Sequence, residues 1–323
     1  MSNKIKYLSS FIYKRFNGGK QNISLSYQVF GKPIGICPII LVNHALTGNS
    51  NITGKNGWWS ELIGINKIID TNKFTVIAFN VPGNGYDKVE KNLIYNYKDF
   101  IAFDIAKIFS IGLKKLKINK LYAAIGGSLG GGIVWELAIL KPYLIKHIIT
   151  VASDFKSSDW LIANCFVQDS ILNNSTNPIF DARIHAMTLY RTPESFTSKY
   201  NRQKKNNVYS VESWLSHHGK SLERRFEVQA YKTMNQLLKT IDITRGKETL
   251  NELVNKITGN INIITIDSDL LFCSNENWKT YKKIKKIKTN VEIFEIKSEY
   301  GHDAFLIEHK QMNNILNIIF NKN

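Results

Sequence analysis

Apolar, often β-branched runs bounded by turn residues recur along the chain at 23–30, 38–42, 74–79, 121–125, 147–151, 261–266 and 291–296. Several are continuous rather than alternating, the pattern of strands buried on both faces. Between them, apolar positions recur at helical spacing over 97–116, 131–140, 275–286 and 304–320. Strands that alternate with helices predict a mostly parallel sheet with helices on both faces. The alternation stops between about 154 and 251, where Trp, Tyr, His and charged residues follow a helical period without a convincing strand. This stretch reads as a helical lid over the sheet. The expected organisation is therefore an α/β core at 1–154 and 251–323, with a helical insertion at 155–250.

Composition changes this picture little. The 323 residues are 43% hydrophobic, yet no segment approaches the ~20 consecutive apolar residues of a membrane span. The N-terminal stretch carries scattered charges and no apolar core ahead of a cleavage site, so a cytoplasmic protein is expected. Cys37, Cys165 and Cys273 are odd in number and widely spaced, which argues against a disulfide framework or a zinc site and predicts buried thiols. A net charge of +17 could serve a polyanionic partner. Lys is over-used throughout, however, and the densest basic run, "KKIKKIK" at 282–288, interleaves Ile at helical spacing as an amphipathic surface helix does. Neither a nucleic acid nor a membrane is expected as a partner.

The candidate chemistry centres on "AIGGSLGGG", five glycines around Ser128. Gly126 to Gly130 spell G-x-S-x-G, with a β-like run before and a helix-like run after. That context fits a sharp turn which exposes a nucleophilic serine and sets it at a helix N-terminus, where free N–H groups can hold an oxyanion. In sheets carrying such a serine, an acid and then a histidine follow, each beyond a later strand. Here "DSDLLF" follows "INIITI", and "EYGHDAFL" follows "VEIFEIKS". His302 is the histidine after the last strand and so the candidate general base. Asp267 and Asp269 compete to orient it; the position just past the strand end favours Asp269. A second oxyanion N–H is expected from "LVNHALTGN", with His44, Ala45 and Leu46 as candidates.

The blocks "NHALTGNSN", "NGWW", "IGGSLGGG", "DARIHAMTLYRTPESF", "VESWLSHHGKSLERRFEVQAYKTM", "DSDLLF" and "YGHDAFL" occur in this order from Pro38 to Ile307. Together they resemble the homoserine O-acyltransferases of the α/β-hydrolase superfamily, lid included. The resemblance implies the α/β-hydrolase fold, a Ser128–His302–Asp269 triad, and an oxyanion hole from the N–H groups of Leu46 and Leu129. It further implies that Arg183 grips a substrate α-carboxylate with Tyr190 on the same helix face, and that Asp303 receives the ammonium group. A guanidinium suits a carboxylate and an acid suits an amine. Without the resemblance, Arg183 reads as a surface salt-bridge residue and Asp303 as a cap of the final helix.

The implied reaction moves an acetyl group from acetyl-CoA to the hydroxyl of L-homoserine, toward methionine, through an acyl-serine. Acetyl-CoA would be a co-substrate, with no bound cofactor or metal, and the family suggests a homodimer through the lid. Succinyl transfer to homoserine and acetyl transfer to serine differ from this only in pocket detail, whereas an esterase would let water attack the acyl-serine. The sequence departs from the family's pattern in the shortened loop "NVPGNGYDKVEKN", in Cys273 where proline is common, and in "TGNSN".

Overall fold

The computed structural model describes residues 4–321. An eight-stranded sheet forms from β1 (Lys6–Tyr7), β2 (Ser26–Gly31), β3 (Ile39–Asn43), β4 (Thr75–Phe79), β5 (Leu121–Gly127), β6 (Ile145–Val151), β7 (Asn260–Ile266) and β8 (Val291–Ile296). Its spatial order is β1-β2-β4-β3-β5-β6-β7-β8. β2 runs antiparallel to β1 and β4, and the strands from β4 to β8 are mutually parallel. Every residue of β3 and β4 is buried, which is why their sequences are continuous apolar runs.

Apolar clusters cover both sheet faces. One joins Ile105 of α1 (Ala102–Lys115) and Trp135 of α2 (Leu129–Leu140) to Leu161, Ala182 and Tyr231 of the helical stretch between β6 and β7; the other joins Trp59 to Leu316 near the C-terminus. The chain from β6 to β7 runs through α3 (Asp159–Asn174), α4 (Pro178–Tyr190), α5 (Pro193–Tyr200), α6 (Ser210–Glu223), α7 (Val228–Lys239) and α8 (Leu250–Lys256). Two-residue strands, Lys204–Lys205 and Val208–Tyr209, pair within this helical stretch. α9 (Ser274–Lys285) carries most of the basic run, with Ile284 fully buried and the lysines around it solvated. Among the described residues no helix is long and apolar enough to cross a membrane.

Three expected elements differ in extent. The strand expected over 23–30 begins at Ser26, because Ile23 closes a separate hairpin between Lys20–Ile23 and Phe11–Lys14. The helix expected over 97–116 begins at Ala102. Buried Asp104 fixes that start by accepting hydrogen bonds from Ile101 N–H, Phe16 N–H and Tyr13 Oη, and Tyr97–Asp99 form a separate 3-10 turn. The final helix expected over 304–320 is split into a 3-10 turn, Gly301–Leu306, and α10 (His309–Asn321). Of the cysteines expected to be buried, only Cys165 is; Cys37 and Cys273 are half-buried, since each stands where chain meets surface rather than on an inward face.

Candidate active site

Ser128 stands between the end of β5 and the start of α2 at φ 55°, ψ −123°, a conformation costly for a residue with a Cβ. Its N–H donates to Val151 O of the adjacent strand at 2.9 Å, which pins the turn. The flanking glycines allow close backbone approach. A Cβ at Gly126 would lie 2.3 Å from Gly130 O, and one at Gly130 would lie 2.3 Å from Asn43 O. The concentration of glycine around one hydroxyl thus has a steric cause: helix α2 starts directly against the loop after β3.

His302 lies in the 3-10 turn after β8, and its Nδ1 is 2.7 Å from Asp269 Oδ2. The other oxygen of Asp269 accepts from the N–H groups of Leu271 and Phe272 at 2.7 and 2.9 Å. Asp267 instead accepts from Ser298 N–H, capping the strand end. Phe272 stacks on the His302 ring, with Tyr190 and Phe305 against it at centroid distances of 5.5 and 5.6 Å. Phe305 also fills the space over Gly127, where a Cβ would approach its ring to 2.6 Å, so the imidazole sits beside the serine turn. Neither Ser128 Oγ nor His302 Nε2 forms a hydrogen bond among the described residues, with each other included, which leaves both atoms available to a substrate. All three side chains are buried.

The loop from Asn43 to Ser50 packs on the start of α2. His44 is fully buried, and burial lowers its pKa to about 4. Its Nε2 accepts from Val81 N–H at 3.0 Å, so Nδ1 carries the proton and donates to Ala45 O at 2.8 Å. The ring is therefore a neutral staple that shapes the loop. Leu46 and Leu129 are both buried; the Leu46 N–H donates no hydrogen bond among the described residues, and the Leu129 N–H, first in α2, has no intrahelical acceptor. Both N–H groups are thus donors without an acceptor among the described residues.

Helix α4 reaches the histidine turn through Tyr190, whose ring lies 5.5 Å from that of His302. Arg183 lies over the Tyr190 ring at 5.5 Å and has no carboxylate partner among the described residues, contrary to the surface ion pair that the residue alone suggests. Burial pushes the Tyr190 hydroxyl pKa up to about 12. Asp303 does not cap α10; it accepts from Arg191 Nε at 3.1 Å through Oδ2. A cavity of about 20 Å³, room for one water, is lined by Leu46, Cys165, Tyr190, Tyr231 and Leu271 among others.

Two residues of the site escape sequence reasoning. Arg191, which follows Tyr190 in "YRTPESF", belongs to no periodic pattern. Trp59 of "NGWW" donates its indole N–H to Phe305 O at 3.2 Å and so ties an early loop to the histidine turn.

Comparison with known proteins bears on this arrangement. A family model described as alpha/beta hydrolase fold matches residues 38–308. A homoserine O-acetyltransferase of Methanococcus vannielii is 31% identical over 92% of this chain and 68% of its own. The crystal structure of a homoserine O-acetyltransferase from Bacillus anthracis superposes with a TM-score of 0.86 at 21% identity, covering 98% of both chains. That of esterase E22 does so with a TM-score of 0.86 at 17% identity, covering 99% of both.

Proposed function

From the premise that the chain belongs to the homoserine O-acetyltransferases of the α/β-hydrolase family, we propose that it transfers an acetyl group from acetyl-CoA to the hydroxyl of L-homoserine, toward methionine. Ser128 Oγ loses its proton to His302 and attacks the thioester carbonyl, and the Leu46 and Leu129 N–H groups hold the oxyanion. Collapse breaks the C–S bond, and the imidazolium protonates the departing CoA thiolate. Homoserine then gives its hydroxyl proton to His302 and attacks the acetyl-serine; the bond from the acyl carbon to Oγ breaks, and the imidazolium returns the proton to Ser128 Oγ. Asp269 fixes the proton on His302 Nδ1 and stabilises the imidazolium.

One observation carries the choice of acceptor: around a buried nucleophile stand an unpaired guanidinium, Arg183, and a carboxylate, Asp303, and the buried Tyr190 ring feels the charge of both. Opposite charges set apart in a closed site suit the carboxylate and ammonium of an amino acid. We assign Arg183, with Tyr190, to the former and Asp303 to the latter.

The same fold in esterase E22 keeps hydrolysis as the second reading, in which water discharges the acetyl-serine. Burial of the triad under the lid helices, the stretch assigned to 155–250, disfavours it. A homodimer suits these helices: α3 exposes Ile162 (38%) and Phe166 (68%) one turn apart, an apolar pair that a second copy would cover, with Trp160 (51%) and Val167 (40%) on the other flank of its exposed side. Three free thiols accord with a cytoplasmic setting. The test is an assay of the pure protein with homoserine or serine against acetyl-CoA or succinyl-CoA. The reading expects homoserine with acetyl-CoA to be fastest by far, and thioester hydrolysis without acceptor at the same rate would replace it with the esterase.

A further inference from the structure

Residues 190–192, the corner between α4 and α5, are riveted to residues 299–303 around the histidine. The Thr192 hydroxyl donates to Glu299 O at 2.6 Å. Gly301, at φ 61°, brings the chain so close that a Cβ there would lie 2.9 Å from Tyr190 O. Between these contacts, Arg191 donates to Asp303, the two side chains being 17% and 16% exposed. The guanidinium is itself immobilised, 5.3 Å from the Tyr300 ring and 5.6 Å from that of Trp214 on α6.

The ion pair uses only Arg191 Nε and Asp303 Oδ2; Oδ1 bonds to no other described residue. A forked guanidinium could take both oxygens, and here it holds one. The carboxylate, on the residue that follows His302 in the chain, is therefore held through one oxygen, and its second oxygen is left without a partner among the described residues. On the reading that the acceptor is an amino acid, we propose that Arg191 is a positioning residue which aims the free oxygen of Asp303 at the acceptor ammonium and so makes the enzyme select acceptors that carry an α-amine.

Two effects of Arg191 oppose each other. Its positive charge repels an incoming ammonium, while its hydrogen bond holds the carboxylate that attracts it. Repulsion falls off only as the inverse of distance. A hydrogen bond needs the carboxylate within a few tenths of an ångström and vanishes when Asp303 turns away. Selection of the α-amine requires that orientation outweigh repulsion, and Arg191→Met, which removes both, tests which prevails.

The experiment compares L-homoserine with γ-hydroxybutyrate, the same acceptor without its amine, on the wild type, Arg191→Lys and Arg191→Met, with CoA release from acetyl-CoA as a separate readout. Lys keeps the charge but loses the Nε donor and the planar fork; Met loses both. In both variants the preference for homoserine should fall by about tenfold or more, through KM for homoserine, while the burst of CoA is preserved, as for loss of one charge-assisted hydrogen bond. An unchanged or increased preference in Arg191→Met would overturn the proposal, as would loss of the burst in both variants, which would make Arg191 a support of the fold. A wild type that acylates neither acceptor, despite a normal burst, would instead defeat the amino-acid reading and the proposal with it.

Discussion

Asp269 divides its carboxylate between the backbone and the base: one oxygen accepts from the N–H groups of Leu271 and Phe272, and the other lies 2.7 Å from His302 Nδ1. The acid cannot turn away without giving up two buried hydrogen bonds, so it dictates which ring nitrogen of His302 bears the proton. Asp269→Asn offers an N–H or an amide oxygen in the same place and lets the wrong tautomer persist. Turnover should fall by about 10⁴ with thermal stability nearly unchanged, as steady-state rates and a melting curve would report. A loss under tenfold would assign the orienting role elsewhere.

Among the described residues Arg183 has no carboxylate partner, and its guanidinium lies over the face of Tyr190. Arg183→Ala should slow transfer to homoserine by a factor of about a hundred or more while the release of CoA from acetyl-CoA survives. Arg183→Lys should recover part of the loss, since a point charge replaces a planar fork. Separate measurement of the two half-reactions decides; equal damage to both would make Arg183 a support of the lid.

His44 links pH to stability. Its pKa is held near 4 in the folded protein, against about 6.5 in the unfolded chain. Below pH ~6.5 the unfolded chain binds a proton that the folded chain refuses, so this contribution is complete above that pH and is lost as pH falls toward 4. Between about pH 6 and about pH 5 the loss from this one group is about 1 kcal/mol. His147, lowered to about 4, acts in the same direction, whereas Asp154, raised to about 6, acts in the opposite one. Urea unfolding at several pH values should show His44→Gln less stable throughout but with a shallower slope on the acid side. A slope equal to the wild type's would mean that the folded chain takes up the His44 proton as readily as the unfolded one.

Much of this architecture is legible in the sequence because it is local. Continuous apolar runs mark β3 and β4, where burial of every position leaves little room for a polar residue, whereas β8 carries Glu292 and Glu295 and is fully buried only at its two ends. Ser128, Asp269 and His302 stand out as candidates because each follows a strand end, where an α/β sheet presents its chemistry, and the structure brings the last two within 2.7 Å of each other. The break between Ile23 and Ser26 escapes detection because apolar pattern alone does not say which sheet a strand joins. The start of α1 depends on Asp104 meeting Tyr13, 91 residues earlier. Arg191 and Asp303 are 112 residues apart, and nothing in either local pattern announces their pairing.

The apolar face of α3 bears on assembly. If a second copy covers Phe166, which is 68% exposed in one chain, Phe166→Glu places a charge in that interface. Light scattering should then show a dimer for the wild type and a shift toward monomer for the variant. A monomeric wild type at micromolar concentration would rule the dimer out.

In the proposed mechanism Ser128 carries the acetyl between thiol and hydroxyl, so both half-reactions turn on this residue. Incubation with acetyl-CoA alone, followed by peptide mass spectrometry, tests this most directly. One acetyl group is expected on the peptide that contains Ser128, formed with an equal burst of CoA, discharged as O-acetylhomoserine when homoserine is added, and absent in Ser128→Ala. An unmodified peptide during active turnover, or a Ser128→Ala enzyme within tenfold of the wild-type rate, would contradict it.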